Sequence, residues 1–336
     1  MADTPHWNAA RLSLRDMMAQ RDGRILVGIG VADGAEARLL HHVVAEMTDR
    51  KAVPDFIGGF VTFVSGYLCA ASHGLPDLGY ILRHEIVRHT DLIEQATWMA
   101  ALETGRPALP LGVDVDTGYG SEPASVLLTC RQVHKQGGQY VQIEDQHAIN
   151  KSCGHMAGAL GAGKAIVSAE EMLALRLAPA VSYAAAQADF CVMARTDAIA
   201  AAGFEEAVRR AHRYAEGGAK LVFIEAPETE AQLARAAAEF KGSKVLSVAN
   251  MIEGSPKTPY KTPRELHGMG FGLALYCIGS LLGAQAVQRQ YFRALVAGES
   301  GMAGPGGVSA DSFPAVNRTM GRQQTEHWNR FFHGER

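Results

Sequence analysis

Residues 112–155 read GVDVDTGYG (112–120), SEPASVLLTCRQVHKQGG (121–138), QYVQIEDQ (139–146) and HAINKSCGH (147–155). Two apolar runs each end abruptly in acidic residues, a helix-like stretch joins them, and a cysteine flanked by Lys and His follows within ten residues. An apolar strand that ends in carboxylates needs a polar place to put them. In a barrel of parallel strands that place is the mouth at the C-terminal ends, where side chains from several strands converge. Asp114 and Asp116 are two apart, so on an extended strand they share a face, and Glu144 can join them. Three carboxylates aimed at one point repel one another unless a cation sits between them. An all-oxygen set with room for waters suits Mg²⁺ or Mn²⁺ rather than Zn²⁺.

Outward from this stretch, strand-like runs alternate with helix-like ones. ILVGIGV (25–31), DFIGGFVTFVSGY (55–67), ALPLGVDV (108–115), QYVQIED (139–145), ADFCVMARTD (188–197), KLVFIEAP (220–227), KVLSVANM (244–251) and FGLALYCIG (271–279) are eight strand candidates. Helical patterns fall at 9–21, 35–49, 84–103, 121–136, 168–186, 204–217, 229–240, 263–268 and 280–297. Eight strands separated by helices, with the polar signals at the strands' C-terminal ends, make an α/β (β/α)₈ TIM-type barrel with an N-terminal helix. The expected organisation is a barrel catalytic domain over 1–297, a flexible linker over 298–310 (GESGMAGPGGVSA), and a C-terminal helical extension over 311–336 carrying Trp328, Phe331 and Phe332. Those aromatics need a surface to cover, the barrel's own or a neighbouring subunit's.

Composition excludes several classes. A net charge of −3 gives no sign of a nucleic-acid partner, no window is long and apolar enough for a membrane, and MADTPHWNAARLSLRDMMAQ lacks the apolar core of a signal peptide. Five cysteines with no CxxC argue for a reducing, cytoplasmic setting. Cys69, Cys130, Cys191 and Cys277 have apolar neighbours and read as small core residues, whereas Cys153 sits among polar residues and glycines. His41, His42, His84 and His89 fall in helical stretches and read as packing or surface residues.

The strand ends then supply the candidate site. Ser65, Gly66 and Tyr67 form a Ser-Gly turn that offers N–H groups and a hydroxyl to an anion, and Asp77 follows on the next loop. Arg195 suits a substrate carboxylate, or alternatively an ion pair with Asp197 or Glu225. Asn250 precedes a polar loop and reads as a substrate contact. Lys151 and His155 flank Cys153, and nearby cations lower a thiol's pKa and suit it to proton transfer. Gly154, Gly158, Gly161 and Gly163 give this segment the freedom of a closing loop, with Gly154 beside the substrate.

DVDTGYG, QIEDQ, KSCGH, MARTDA, FIEAP and the ANM–EG–KTP region, in that order, resemble the isocitrate lyase/phosphoenolpyruvate mutase superfamily over roughly residues 10–297. The resemblance implies Mg²⁺ (or Mn²⁺), an α-keto acid or its enolate at the metal, and a homotetramer in which neighbours exchange the last helix. Its KxCGH marks the lyase branch, with Cys153, Lys151, His155 and Asp77 as catalytic residues. Asp114, Asp116 and Glu144 match the metal shell; Ser65, Gly66, Tyr67, Gly154, Arg195, Glu225 and Asn250 match substrate-binding positions. The implied reaction is retro-aldol cleavage of a 2-hydroxy dicarboxylate (alkyl-malate-like) or tricarboxylate (2-methylisocitrate-like) to a 2-keto acid and a carboxylate. The alternatives are, in order, an oxaloacetate hydrolase or decarboxylase, a phosphonomutase, and a non-catalytic metabolite-binding barrel. Members that cleave tricarboxylates carry Y-P-x-S-x-x-R after the eighth strand; YCIGSLL puts Leu282 at the Arg position, which points to the dicarboxylate, the alternative being that an Arg of the first βα unit or of a neighbouring subunit fills that role.

Overall fold

The computed structural model describes residues 9–149, 151–156, 164–301 and 311–333. Eight parallel strands close into one barrel in sequence order: β1 Ile25–Gly30, β2 Ile57–Val64, β3 Leu111–Asp114, β4 Gly138–Glu144, β5 Cys191–Thr196, β6 Leu221–Ile224, β7 Leu246–Met251 and β8 Leu273–Tyr276. The closing β1–β8 pair runs from Leu26 opposite Leu273 to Ile29 opposite Tyr276. All eight expected strands are present, shortened at their ends where the chain turns into loops.

The barrel wall divides the apolar residues into two sets. Val113, Val141, Ile143, Val192, Ala194, Val222 and Ile224 pack outward with residues of the surrounding helices. Val61, Phe63, Tyr140, Cys191, Met193, Leu221, Phe223, Leu246, Val248, Leu273 and Leu275 pack together inside, joined by Leu14 of the N-terminal helix Leu14–Gln20, which plugs the lower end. The two sets alternate along each strand, as the period of two requires. The inner face leaves no spare volume at β3: a Cβ added at Gly112 would overlap the ring of the fully buried Tyr140.

Several loops differ from the sequence expectation. The stretch after Ser65 is a helix, Gly66–Ser72, because Leu68, Cys69 and Ala70 bury themselves. A short helix, Ala198–Ala202, follows β5. The expected helix 168–186 contains a π-helical turn, Met172–Leu177, between the α-helical pieces Ala169–Glu171 and Ala178–Ala185. That turn carries Arg176, whose Nη1 donates to the carbonyls of Glu144 and Gln146 at 2.7 Å each and so steadies the end of β4.

The C-terminal extension is two helices rather than one, Phe313–Thr319 and Arg322–His333, separated at Gly321 with φ +79°. Its first helix rests on the same chain's barrel: Arg38 Nε donates to Thr319 O at 2.9 Å while Arg38 also pairs with Glu103. Glycine is favoured at 321 by the left-handed φ, and a Cβ there would also displace the tips of Glu103 and Arg38. Of the expected linker, 302–310 lies outside the described residues. Among the described residues no helix is long and apolar enough to cross a membrane.

Gly112→Ala should lower stability by about 1–3 kcal/mol, the usual cost of overpacking a filled core. Urea unfolding checks it; an unchanged midpoint would show that Tyr140 can move aside.

Candidate active site

The alternation that builds the inner core also delivers the site. Following each inward series one step past its last apolar member leads from Phe63 to Ser65, from Gly112 to Asp114, from Met193 to Arg195, from Phe223 to Glu225, from Val248 to Asn250 and from Leu275 to Cys277. On β4 the series runs Tyr140, Gln142, Glu144. Register holds these residues level, with Asp114 beside Gln142, Glu144 beside Arg195 and Asn250 beside Leu275. Ser65, Tyr67, Asp77, Asp114, Cys153, Arg195, Glu225 and Asn250 line one cavity together with Gln142, Cys277 and the apolar Phe63, Ile252 and Leu275.

Charge governs the arrangement. Lys151 Nζ lies between Asp77 Oδ1 at 2.5 Å and Asp116 Oδ1 at 2.6 Å. Burial works against its charge, but Asp116 and Asp77 outweigh it and hold Lys151 well above its ordinary range. Arg195 grips Asp197 in a fork, Nε to Oδ2 at 2.8 Å and Nη2 to Oδ1 at 3.0 Å. Its Nε is also 3.3 Å from Glu144 Oε2, its Nη2 is 3.7 Å from Glu225 Oε1, and its guanidinium stands over the Phe223 ring. The ion-pair alternative for Arg195 is therefore realised, and Arg195 lines the cavity as well. Burial would raise Asp197, yet Arg195 and Lys164 hold it far below the usual carboxylate range.

Two expectations require correction. First, Asp114 and Asp116 do not share a face of an extended strand. The strand ends at Asp114, Asp116 has φ +50°, and its N–H donates to Asp114 Oδ1 at 3.1 Å. Tyr119 and Ala226, at φ +57° and +53°, are further left-handed residues at this mouth, the kind of backbone strain that gathers at functional sites. Second, Lys151 and His155 do not activate the Cys153 thiol. Burial, then Asp77 and Glu225, push it up to about 12. Lys151 is spent on two carboxylates, while burial lowers His155, whose Nδ1 is 2.7 Å from Ser255 Oγ and whose Nε2 is 3.5 Å from Glu225 Oε1. The thiol is thus held in its neutral form.

Gly154 lies directly on Glu225, where any Cβ would overlap the carboxylate. The glycines at 158, 161 and 163 lie outside the described residues. Leu282 is 41% exposed in the helix Gly279–Val296 and does not line the cavity; Ile252, Leu275 and Phe63 supply its apolar wall instead. The core-cysteine reading holds for Cys69, Cys130 and Cys191, but Cys277 faces the cavity, its Sγ donating to Asn250 Oδ1 at 3.1 Å. Counting inward positions on β8 would have found it. Sequence reading also missed Lys164, a lone cation in a glycine-rich stretch that carries no local signal.

The residues suit a hard cation. Six carboxylates (Asp77, Asp114, Asp116, Glu144, Asp197, Glu225) face three cations (Lys151, Lys164, Arg195). The excess shows in the protons the cluster retains: burial, then Asp116, lifts Asp114 to about 7, and burial holds Glu144 well above its usual range. Both Glu144 oxygens are buried without a hydrogen-bond partner. A Cβ placed on Gly66 would stand 3.2 Å from Asp114 Oδ2 and 3.4 Å from Asp116 Oδ1, so a side chain there would crowd this acidic edge. Among the described residues no three His, Cys, Asp or Glu side chains are grouped closely enough to hold a metal ion as they stand, so a cation here would need waters or a substrate oxygen besides these carboxylates.

The family model described as phosphoenolpyruvate phosphomutase matches residues 58–296. The chain is 42% identical over 228 residues to the petal death protein of Dianthus caryophyllus, covering 68% of this chain and 65% of that protein. It is 35% identical over 226 residues to 2,3-dimethylmalate lyase of Eubacterium barkeri, covering 67% and 70%, and 32% identical over 283 residues to 2-methylisocitrate lyase of Aeropyrum pernix, covering 83% and 79%. The structure of oxaloacetate acetylhydrolase with the inhibitor 3,3-difluorooxalacetate superposes with a TM-score of 0.78 at 27% identity, covering 96% of this chain and 97% of that one.

The raised Asp114 gives a pH-dependent test. The folded chain keeps a proton up to about pH 7 that the unfolded chain loses near 3.8, so this group's contribution to stability falls as pH rises between the two values. A divalent cation binds the ionised form and offsets that loss. The rise in Tm on adding Mg²⁺ should therefore grow from about pH 5 to about pH 8, and disappear in Asp114→Asn/Asp116→Asn. A pH-independent rise, or one that survives both substitutions, would place the ion elsewhere.

Proposed function

The chain belongs to the phosphoenolpyruvate phosphomutase family, and we propose that it is a carbon–carbon lyase that cleaves a 2-hydroxy dicarboxylate of alkyl-malate type into a 2-keto acid and a carboxylate. The observation that carries this reading is a buried, protonated Cys153 thiol in the same cavity as Arg195, Asp114 and Asn250.

Ser65, Arg195 and Asn250 orient the substrate's carboxylates. Arg195 is the one cation among the described residues that line the cavity, and Asp197 already offsets it. A third buried carboxylate would be without a partner, whereas Ile252, Leu275 and Phe63 suit an alkyl group. The C2–C3 bond breaks as the 2-hydroxyl passes its proton to a carboxylate lining the cavity, Asp114 or Glu225, from which the proton returns to Cys153 after turnover. C2 becomes the keto carbon, the bond's electron pair passes to C3, and the Cys153 thiol protonates C3. A thiol held near 12 stays protonated at neutral pH and is still far more acidic than the carbanion's conjugate acid. Lys151 fixes this loop through Asp77 and Asp116, and Cys153 N–H donates to Asp77 O at 3.0 Å. Glu225 supports Gly154 and His155. Asp114, Asp116 and Glu144 would hold Mg²⁺ (or Mn²⁺), which when bound supplies a Lewis acid for negative charge developing on the substrate oxygen.

A second reading, cleavage of oxaloacetate, is favoured by the likeness to the oxaloacetate acetylhydrolase structure. For assembly, the helix Gly279–Val296 buries none of its residues and exposes Val287, Phe292, Leu295 and Val296, in keeping with a homotetramer that exchanges this helix. A reducing cytoplasm suits five free cysteines.

Cys153→Ala should lower kcat by roughly 10²–10⁴-fold with KM little changed, the loss of a positioned acid. Cys153→Ser should be nearly as poor, because a hydroxyl is a weaker acid. Wild-type turnover by both variants, measured as keto acid released, would remove the support for a lyase.

A further inference from the structure

The cation that the proposed chemistry leaves unused is Lys164. Its side chain is 2% exposed, and it spends all three N–H donors: on Asp197 Oδ1 at 2.9 Å, Cys153 O at 2.9 Å and Ser152 O at 3.2 Å. Two of these acceptors belong to the backbone of the segment that carries the acid. The third, Asp197, is the carboxylate that grips Arg195. Gln146 completes the junction: its Nε2 donates to Ser152 O at 2.9 Å and to Asp197 Oδ1 at 3.2 Å, and its Oε1 accepts from Ser152 N–H at 3.2 Å. A further tie holds the base of the excursion, where His147 N–H donates to Ala165 O at 2.9 Å and Gln146 pairs with Ile166.

We propose that Lys164 is a positioning residue that anchors Cys153 over the cavity by bridging the Ser152 and Cys153 carbonyls to Asp197, and that Asp197 thereby sets the acid and the carboxylate-binding Arg195 on one shared anchor. The role assigned to Cys153 rests on the lyase reading; the anchoring does not. The geometry is directional. Burying two carbonyls and a carboxylate around one ammonium is stable only with the ammonium in place, so its loss frees the segment rather than the barrel. The segment's other restraints are Lys151 on Asp77 and Asp116, Cys153 N–H on Asp77 O, the neutral Gln146 bridge to Asp197, His155 on Ser255 and Glu225, and Lys257 Nζ on the Gly154 and Met156 carbonyls at 3.4 and 3.2 Å. Among the described residues Lys164 alone ties it to the end of β5 by charge.

The test is Lys164→Ala in the full chain, with two readouts. Alkylation of each cysteine by iodoacetamide, followed by peptide mass spectrometry, needs no substrate. Cys153 should react faster by roughly an order of magnitude or more, as expected for local opening, while Cys69, Cys130, Cys191 and Cys277 keep their wild-type rates. In turnover, kcat should fall roughly 10²-fold, the effect of about 1 Å of misplacement, with a smaller change in KM, and methylammonium should restore part of both readouts. If Lys164→Ala fails to fold, Lys164→Gln carries the same comparison, since it keeps an amide donor without the charge. An unchanged Cys153 rate, or all five cysteines accelerating together, would overturn the anchor. Faster, rescuable alkylation of Cys153 with no loss of keto-acid release would leave the anchor standing and count against Cys153 as the acid.

Discussion

In a closed parallel barrel each side chain that reaches the axis is followed by one that does not, so the residue two beyond the last apolar inward position is committed to the mouth. Seven strands of this chain obey that rule, and the residues it commits are Ser65, Asp114, Gln142, Arg195, Glu225, Asn250 and Cys277, with Glu144 one further inward step along β4. The apolar members below them, Tyr140 and Phe223 among them, form a filled floor. The same parity that buries the core therefore concentrates ionisable groups at one end of it.

Concentrating carboxylates in a dry mouth creates a charge problem, and the loops supply the answer. Lys151 and Lys164 enter from the excursion after β4 and pair with Asp77, Asp116 and Asp197, while Arg195 rises from β5 between Glu144, Asp197 and Glu225. These pairs do more than neutralise. The lysine pairs also fix a backbone segment, so that residues 151–154, with Cys153 among them, are held by the charges that surround the cavity. Burial raises the carboxylates of Asp114 and Glu144 above their usual range, and a bound cation would favour their ionised forms. Burial has a further effect on Cys153, which stays a thiol because its neighbours are acidic and the nearby ammonium is occupied.

The strands and the acids at their ends were legible because a period of two and an abrupt change of polarity survive in one dimension. Arg195, Glu225 and Asn250 could be named for that reason alone. Cys277 obeys the same parity but hides in an apolar run, where a cysteine gives no change of polarity to notice. Asp116 was placed wrongly on an extended strand, since its left-handed φ is a property of the turn and leaves no mark on spacing. Lys164 was out of reach because its partners are 11 to 33 residues away and are mostly backbone carbonyls. The thiol's protonation state was misjudged for a related reason: adjacency in sequence to Lys151 and His155 said nothing of what those side chains face.

The central claim is that this mouth breaks a carbon–carbon bond in a substrate with two carboxylates. The most direct measurement is kcat/KM with Mg²⁺ for 2,3-dimethylmalate and other alkyl-malates, oxaloacetate and 2-methylisocitrate, scored by the keto acid or oxalate released. A dicarboxylate cleaved with the highest kcat/KM, yielding keto acid and carboxylate in equal amounts, is the result this account predicts. Cleavage of 2-methylisocitrate far faster than any dicarboxylate, or no bond cleavage in any of them, would contradict it.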